Sequence, residues 1–289
     1  MQRGCLDQLD RQPLPIVAPG GVYILLPVLN EISNIGPLLD QIGRVLAGTA
    51  YTVGIVDDGS TDGTIEYLRE RMSRPDHHLH LICRKKQYRA SQRGAALRTL
   101  MLWGIYNTQH DIFVEMDGDL SHRPEELREG IGLIASGTGD VAIASKYVRG
   151  SSVVNRPVGR LMVSKVCSFF VRLFISPRIR DYSNGYRFYT RAMARLAADH
   201  TSRYGSPIYL SEILSLWLYY GNRVVEFPTL YVGRNEGVSK LRITDLVKAA
   251  IAIFEIASRY HFFGFKRQAV ALEPGLPEPA RQRSQATGE

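Results

Sequence analysis

The stretch Tyr51-Thr52-Val53-Gly54-Ile55-Val56-Asp57-Asp58-Gly59-Ser60-Thr61-Asp62-Gly63-Thr64 changes character at its middle. Up to Val56 it is a short apolar run rich in β-branched side chains, the mark of a buried strand. From Asp57 onward it is a polar turn of acids, glycines and small hydroxyl residues, after which a helix runs to about Met72. The same alternation recurs on both sides. Val22 to Leu26 reads as a strand closed by Pro27, with Asn34 placed to cap a helix through about Leu46 and Pro37 tolerated in its first turn. Leu79–Cys83 is a third strand, Ala90–Gly104 a helix, and Ile112–Met116 a fourth strand that ends in Asp117-Gly118-Asp119. Pro124 opens a further helix and Val141–Ala144 is a fifth strand. Apolar strands alternating with helices imply β-α-β units and a parallel sheet covered on both faces, an α/β architecture. Ligands of such sheets sit beyond the carboxyl ends of the strands. Every unusual polar cluster of this half falls there: Asn30-Glu31, Asp57-Asp58 and Asp117-Asp119.

The second half is less regular. Arg156–Ile175 reads as an apolar helix with interspersed arginines, Leu210–Tyr220 as a helix, Arg223–Val232 as a strand pair broken by Pro228, and Ile243–Tyr260 as an amphipathic helix. Residues 1–20 carry Pro13, Pro15, Pro19 and Gly20 with little periodicity and are expected to be a flexible leader. Residues 265–289 have no aromatics beyond Phe265 and are expected to be a disordered tail.

The chain has 289 residues, 45% hydrophobic and 22% charged, enough to bury a large core without staples. Its three cysteines, Cys5, Cys83 and Cys167, are far apart, so neither a disulfide framework nor a four-Cys zinc site is expected, and a reducing compartment fits. No run reaches the roughly 18 apolar residues needed to span a bilayer, and the first 20 residues show no signal-peptide core. His77, His78 and His80 lie beside Pro75 with no neighbouring cysteine and read as a solvated loop. The net charge is +8, and from Lys146 to Arg191 cations recur with Asp181 the single acid. That asymmetry favours an anionic partner: nucleic acid, anionic lipid or a phosphorylated substrate.

A basic parallel-sheet protein first suggests a dinucleotide enzyme, which would need Gly-x-Gly-x-x-Gly after the first strand. Here that strand ends Pro27-Val28-Leu29-Asn30-Glu31, and no Gly-x-x-x-x-Gly-Lys-Ser/Thr loop occurs anywhere. Hydride transfer and the usual nucleotide-triphosphatase chemistry are excluded on that basis. Asp117-Gly118-Asp119 offers a different chemistry. Two carboxylates one small residue apart, just past a buried strand, can converge on a hard cation such as Mg²⁺ or Mn²⁺, with substrate phosphates completing the shell.

Three pieces in this order, Pro27-Val28-Leu29-Asn30-Glu31, Asp57-Asp58-Gly59-Ser60-Thr61-Asp62-Gly63-Thr64 and Asp117-Gly118-Asp119, resemble the family 2 glycosyltransferases of GT-A fold. The resemblance implies a Rossmann-like mixed, mostly parallel sheet flanked by helices over residues 21–242, with a C-terminal amphipathic helix at 243–264. It also implies a nucleotide-sugar donor. Pro27, Asn30, Glu31, Asp57, Asp58, Asp117 and Gly118 would line the donor, Asp57 accepting from the base. Asp117, Asp119 and Ser121 would serve the metal. Four further segments are similar to the dolichyl- and polyprenyl-phosphate mannosyltransferases: 116–124, 144–148, Asp181-Tyr182-Ser183-Asn184-Gly185-Tyr186-Arg187-Phe188-Tyr189, and Gly237-Val238-Ser239-Lys240-Leu241. Gly118, Lys146, Asn184 and Gln92-Arg93-Gly94 depart from the commoner residues of those relatives, Gln92-Arg93-Gly94 by lacking a lysine.

A phosphate acceptor suits the charge pattern. A hydroxyl acceptor needs a base, which Glu212 or the surroundings of Asp119 would have to supply. A phosphomonoester, largely dianionic at pH 7, needs only positive charge to share a cleft with a diphosphate. Arg187, Lys240, Lys146, Arg149 and Ser239 are the expected partners of the acceptor phosphate and leaving diphosphate, with Asp119, Arg187 and Lys240 forming the catalytic set. Single displacement would invert the anomeric carbon. Mannose from GDP-mannose is the expected sugar, with UDP-glucose or UDP-GlcNAc and a hydroxyl acceptor as the alternative. A non-catalytic lipid- or nucleic-acid-binding protein is disfavoured, because the clustered aspartates would repel phosphates. Because a polyprenyl chain lives in the bilayer, peripheral attachment at the cytoplasmic membrane face is expected, through the two amphipathic helices or a membrane-anchored partner.

Overall fold

A computed structural model describes residues 20–75, 77–84, 93–154, 169, 171–200, 204, 208–233 and 243–262. Strands β1 (Val22–Val28), β2 (Tyr51–Asp57), β3 (Leu79–Cys83) and β4 (Ile112–Glu115) alternate with helices α1 (Ile32–Val45), α2 (Thr64–Met72) and α3 (Arg93–Asn107). After β4 come α4 (Leu127–Ala135), β5 (Val141–Ser145), β6 (Ser152–Val154), β7 (Arg187–Thr190), α5 (Arg191–Asp199), α6 (Ile208–Tyr219), β8 (Val224–Pro228), β9 (Leu230–Val232) and α7 (Ile243–Ala257). Seven strands form one sheet in the order β3-β2-β1-β4-β7-β5-β8, while β6 and β9 pair as a separate two-stranded ribbon. All pairings in the main sheet are parallel except those of β7, which runs antiparallel between β4 and β5.

The period of the central strands explains their depth. Val22 through Leu26 are all fully buried, as a strand covered on both faces must be. Alternate residues feed two cores. Tyr23, Leu25 and Phe113 pack with α3, α5 and α6, while Val22, Ile24, Leu26 and Val114 pack with α1 and α4. The parallel pairing of β1 with β2 and β4 brings Asp57, Val28 and the residues after Glu115 to one edge of the sheet. That edge holds the site.

Several sequence expectations change in detail. Asn34 does not cap α1; the helix begins at Ile32 with Glu31 as its N-cap residue, and the Asn34 amide donates to the Glu31 carboxylate at 2.8 Å. Neither β7 nor α5 stands out as a separate period, because β7 is four residues long and runs directly into its helix. The segment 223–232 breaks after Pro228 as expected, but its two strands belong to different sheets. His80 belongs to β3 and stacks on Trp103 with ring centroids 3.5 Å apart, so it is part of the packing rather than the loop. Helix α7 ends in a π-helical turn, Ser258–Phe262. The leader (1–20) up to residue 19, the tail (265–289), most of the 156–175 helix, and the loop carrying Ser239 and Lys240 lie outside the described residues. Among the described residues no helix is long and apolar enough to cross a membrane.

Glycine decides one contact on the α4 side. A Cβ on Gly130 would stand 2.5 Å from three carbons of the buried Phe188 ring. Overpacking of this kind costs about 1–3 kcal/mol, against a helix-propensity gain of about 1 kcal/mol for alanine. Gly130→Ala should therefore lower the urea midpoint; an unchanged or raised midpoint would show that β7 and α4 are looser than this packing implies.

Candidate active site

Two loops after β1 and β2 are laced together by their own side chains. Asp57 is fully buried, and its carboxylate accepts from the backbone N–H groups of Gly59 and Ser60 at 2.8 and 2.7 Å and from the Ser60 hydroxyl at 2.5 Å. Ser60 Oγ in turn accepts from Asn30 N–H at 2.8 Å, and Asn30 Oδ1 accepts from Thr61 N–H at 2.8 Å. Asn30 adopts a left-handed backbone, φ 56°, which asparagine tolerates better than most residues. Asp62 accepts from Ile32 N–H at 3.1 Å and from Thr64, while Thr64 Oγ1 accepts from Glu31 N–H at 3.0 Å. The crevice wall expected to meet the nucleotide is thus preformed. The Asp57 oxygens shape the turn itself, as an Asx-type bond does. Asp58 is paired with Arg84 at 2.6 Å.

The loop after β4 carries the acidic pair. Asp119 Oδ1 accepts from Ser121 N–H at 3.0 Å. Asp117 is paired with a terminal nitrogen of Arg93, the first residue of α3. Ser121 Oγ is buried with no hydrogen-bond partner among the described residues. A buried hydroxyl without a partner is costly, and this one belongs to the residue whose backbone N–H Asp119 holds. Asp117, Asp119 and Ser121 therefore offer only oxygen ligands, the set a hard divalent cation prefers. Among the described residues no group of three or more His, Cys, Asp or Glu side chains is placed to hold a metal. Gly118 packs against β1: a Cβ there would meet Val28 at 3.0 Å.

His122 ties this loop to the cationic side of the site. Its Nδ1 accepts from Asp117 N–H at 3.0 Å and its Nε2 faces Asn184 Oδ1 at 3.2 Å. The Asn184 amide nitrogen donates to Ala144 C=O, which leaves Oδ1 as acceptor and makes His122 a neutral Nε2–H imidazole. Its ring stacks on Tyr186, centroids 4.9 Å apart. Burial, and after it the Arg93 guanidinium, push the His122 pKa down to about 3.

Asp181 organises the opposite wall. Fully buried, it accepts from the backbone N–H groups of Lys146, Ser183 and Asn184 at 2.9 to 3.0 Å. Lys146 Nζ lies 3.8 Å from Asp181, donates to Ser183 Oγ at 3.3 Å, and sits 5.1 Å from the centroid of the Tyr231 ring. Tyr231 belongs to β9, which Glu126 holds by accepting from the Thr229 hydroxyl at 2.6 Å and from Leu230 N–H at 2.8 Å. Arg149 is exposed. Arg187 departs from its expected place. It is fully buried, and Nε, Nη1 and Nη2 donate to the carbonyls of Asn184, Leu210 and Tyr182 at 3.0, 2.8 and 3.1 Å. It braces the 181–186 loop from the interior and is not exposed to solvent. Glu212, the reserve base, is likewise buried, paired with Arg259 at 3.0 Å and with His200 at 3.3 Å between α6 and the turn after α7.

Residues 23–198 match the family model described as "Glycosyl transferase family 2". The chain belongs to the family 2 glycosyltransferases. It is 33% identical over 235 residues to a polyprenol monophosphomannose synthase of Mycolicibacterium smegmatis, covering 80% of this chain and 85% of that one. It is 32% identical to a dolichol-phosphate mannosyltransferase of Pyrococcus furiosus, over 76% of this chain and 59% of that longer relative. An undecaprenyl-phosphate mannosyltransferase of Micrococcus luteus is 31% identical, over 76% of this chain and 87% of the relative. In structure the chain is similar to glucosyl-3-phosphoglycerate synthase of Mycobacterium tuberculosis, solved with Mn²⁺ and UDP, with a TM-score of 0.58 at 17% identity over 84% and 80% of the two chains. The fold is therefore GT-A, with the mixed seven-stranded sheet expected of it, and the enzyme is a nucleotide-sugar-dependent glycosyltransferase.

Arg93 was the residue sequence reasoning missed. Gln92-Arg93-Gly94 carries no lysine, yet the arginine itself reaches Asp117.

The His122 shift has a sign that can be tested. Between its unfolded value near 6.5 and its folded value, the unfolded chain binds a proton that the native site refuses, so stability falls as pH drops through that window. From pH 7 to pH 5 the residue should remove about 2 kcal/mol of stability. Urea unfolding at the two pH values should show a shallower loss for His122→Gln than for the parent; equal losses would contradict a neutral His122.

Proposed function

We propose that this glycosyltransferase moves mannose from GDP-mannose onto a polyprenyl phosphate, with inversion at the anomeric carbon. The observation that carries the reading is the bonded path from the acidic pair to a buried lysine: Asp117, His122, Asn184, Asp181, Lys146. That path links the loop of the proposed cation site to the lysine proposed for the acceptor phosphate, which supports their acting together. The relatives named above, from three organisms, are all called polyprenyl- or dolichyl-phosphate mannosyl enzymes, which supports both sugar and acceptor.

On this reading Asn30, Glu31 and the 57–60 turn meet the nucleoside, and Asp58 stays with Arg84. Asp117, Asp119 and Ser121 would hold Mg²⁺ or Mn²⁺. The bound cation would offset charge developing on the departing diphosphate. Lys146, with Ser183 beside it, receives the acceptor phosphate. Arg149, Ser239 and Lys240 remain proposed partners of that phosphate. An acceptor phosphate oxygen forms the new bond to the anomeric carbon as the bond to the diphosphate oxygen breaks, and the electron pair leaves with the nucleoside diphosphate. No proton has to be removed, since the acceptor is already largely dianionic. Glu212, committed to Arg259, is not needed as a base.

Membrane contact is proposed for one face. Phe169, Leu173, Ile251 and Phe254 are each more than half exposed, and Phe174 meets Phe254 edge-on at 6.5 Å, joining the segment around 169–174 to α7. Such a patch, with Arg172 next to Leu173 in the chain, suits peripheral binding to an anionic surface, at the cytoplasmic membrane face where the acceptor's phosphate would lie. A membrane-anchored partner would serve the same end, and nucleic acid is not proposed as a ligand.

Two experiments test this reading. Incubation with labelled GDP-mannose, a short polyprenyl phosphate and Mn²⁺ should give an organic-soluble mannosyl product, and Asp119→Ala should reduce the rate by at least about a hundredfold, in the range seen on deleting a charge-stabilising group. A product formed only from UDP-sugars would replace mannose, and near-normal turnover by Asp119→Ala would remove the metal role. Co-sedimentation with anionic vesicles should weaken about tenfold in the Leu173→Ser/Phe254→Ser double variant, as expected for losing roughly 1–3 kcal/mol of apolar burial. Unchanged sedimentation would place lipid contact elsewhere.

A further inference from the structure

Behind the acidic pair lies a set of polar groups that the transfer chemistry above does not use. Arg93 gives one terminal nitrogen to Asp117 and donates the other to Gly185 C=O at 3.3 Å, while its Nε is buried without a partner among the described residues. Glu115, the last residue of β4, is buried; its Oε1 accepts from Tyr189 Oη at 3.0 Å and its Oε2 has no partner among the described residues. Burial raises the Glu115 pKa and lowers that of Arg93; the buried Arg187 and after it Arg93 oppose the shift at Glu115, and Glu115 opposes the shift at Arg93. An unfilled donor on Arg93 and an unfilled acceptor on Glu115 are thus both buried and within each other's electrostatic reach, as is the Tyr209 hydroxyl, which has no partner among the described residues.

Gly185 makes the seat on Asp117 possible. A Cβ at that position would stand 2.4 Å from an Arg93 terminal nitrogen and 2.9 Å from its Cζ, so any other residue would push the guanidinium away. Arg93 holds one oxygen of a carboxylate that a divalent cation would share, and a guanidinium and a dication on the same carboxylate repel each other.

We propose that Arg93 is a tethered counter-ion with two stations: it neutralises Asp117 while the cation site is empty, and it withdraws toward Glu115 when a divalent cation takes Asp117. The inference rests on the metal reading given above. It makes Arg93 a positioning residue that sets how tightly the cation binds before the donor arrives. The orphaned Arg93 Nε and Glu115 Oε2 are the pair that would close on withdrawal.

The test is Mn²⁺ affinity of the full chain without nucleotide, read by the loss of the free Mn²⁺ paramagnetic resonance signal, with thermal melts to report folding. Arg93→Met removes the competing charge and should bind Mn²⁺ about fivefold more tightly, the scale of one partly exposed ion pair. Gly185→Ala keeps the charge but crowds the guanidinium off Asp117, and should shift affinity in the same direction; it decides the matter alone if Arg93→Met does not fold. Glu115→Gln removes the second station and should weaken Mn²⁺ binding. Affinity that is unchanged or weaker in both Arg93→Met and Gly185→Ala overturns the proposal, as does an unchanged value in Glu115→Gln. Asp119→Ala separates the two levels: if it binds Mn²⁺ as the parent does, the metal reading itself has failed, whereas loss of Mn²⁺ there with no response at Arg93 rejects the counter-ion alone.

Discussion

Two carboxylates one residue apart at the end of a buried strand repel each other and, without positive charge, would resist any approach by a diphosphate. Much of this site can be understood as the management of that repulsion. Asp117 rests against Arg93 and Asp119 caps the Ser121 N–H, while the Ser121 hydroxyl of the same turn has no partner among the described residues. The backbone of the same loop is pinned by His122, whose imidazole must stay neutral to accept from Asp117 N–H. Charge and register are therefore set by neighbouring residues of one short turn.

The rest of the fold delivers a cationic wall to the same place. Because β7 runs antiparallel between β4 and β5, the loop that precedes it, 181–186, comes out at the carboxyl ends of the parallel strands. Asp181 then gathers three backbone N–H groups and holds Lys146 from below. Arg187 fixes that loop from the interior through three carbonyls. A buried cation with three carbonyl acceptors and a carboxylate in range is a costly arrangement to break, which suits a loop that must keep its shape while anions come and go.

Much of this was legible in residues alone. Apolar runs ending in Asn30-Glu31, Asp57-Asp58 and Asp117-Asp119 state both the parallel sheet and its functional edge, because strand burial and polar strand ends are local properties. The roles of Arg187 and Asp57 were not legible. Sequence reports a charge but not its depth, and Arg187 looks like any arginine of a basic segment until its three carbonyl partners are seen. Asp57 looks like a ligand because it sits at a strand end, yet the turn's own N–H groups occupy it. Arg93 escaped for the opposite reason: nothing near it in sequence says that the first residue of α3 meets the loop after β4. The antiparallel β7 was hidden by its shortness and by the absence of a turn before α5.

The most direct measurement is the anomalous scattering map of crystals grown with Mn²⁺ and a nucleoside diphosphate. A single strong peak among Asp117, Asp119 and Ser121, bridged to the diphosphate oxygens, is the expected result. A peak elsewhere, or a diphosphate bound with those three side chains turned away from it, would contradict the claim that these strand-end oxygens grip the donor through a cation.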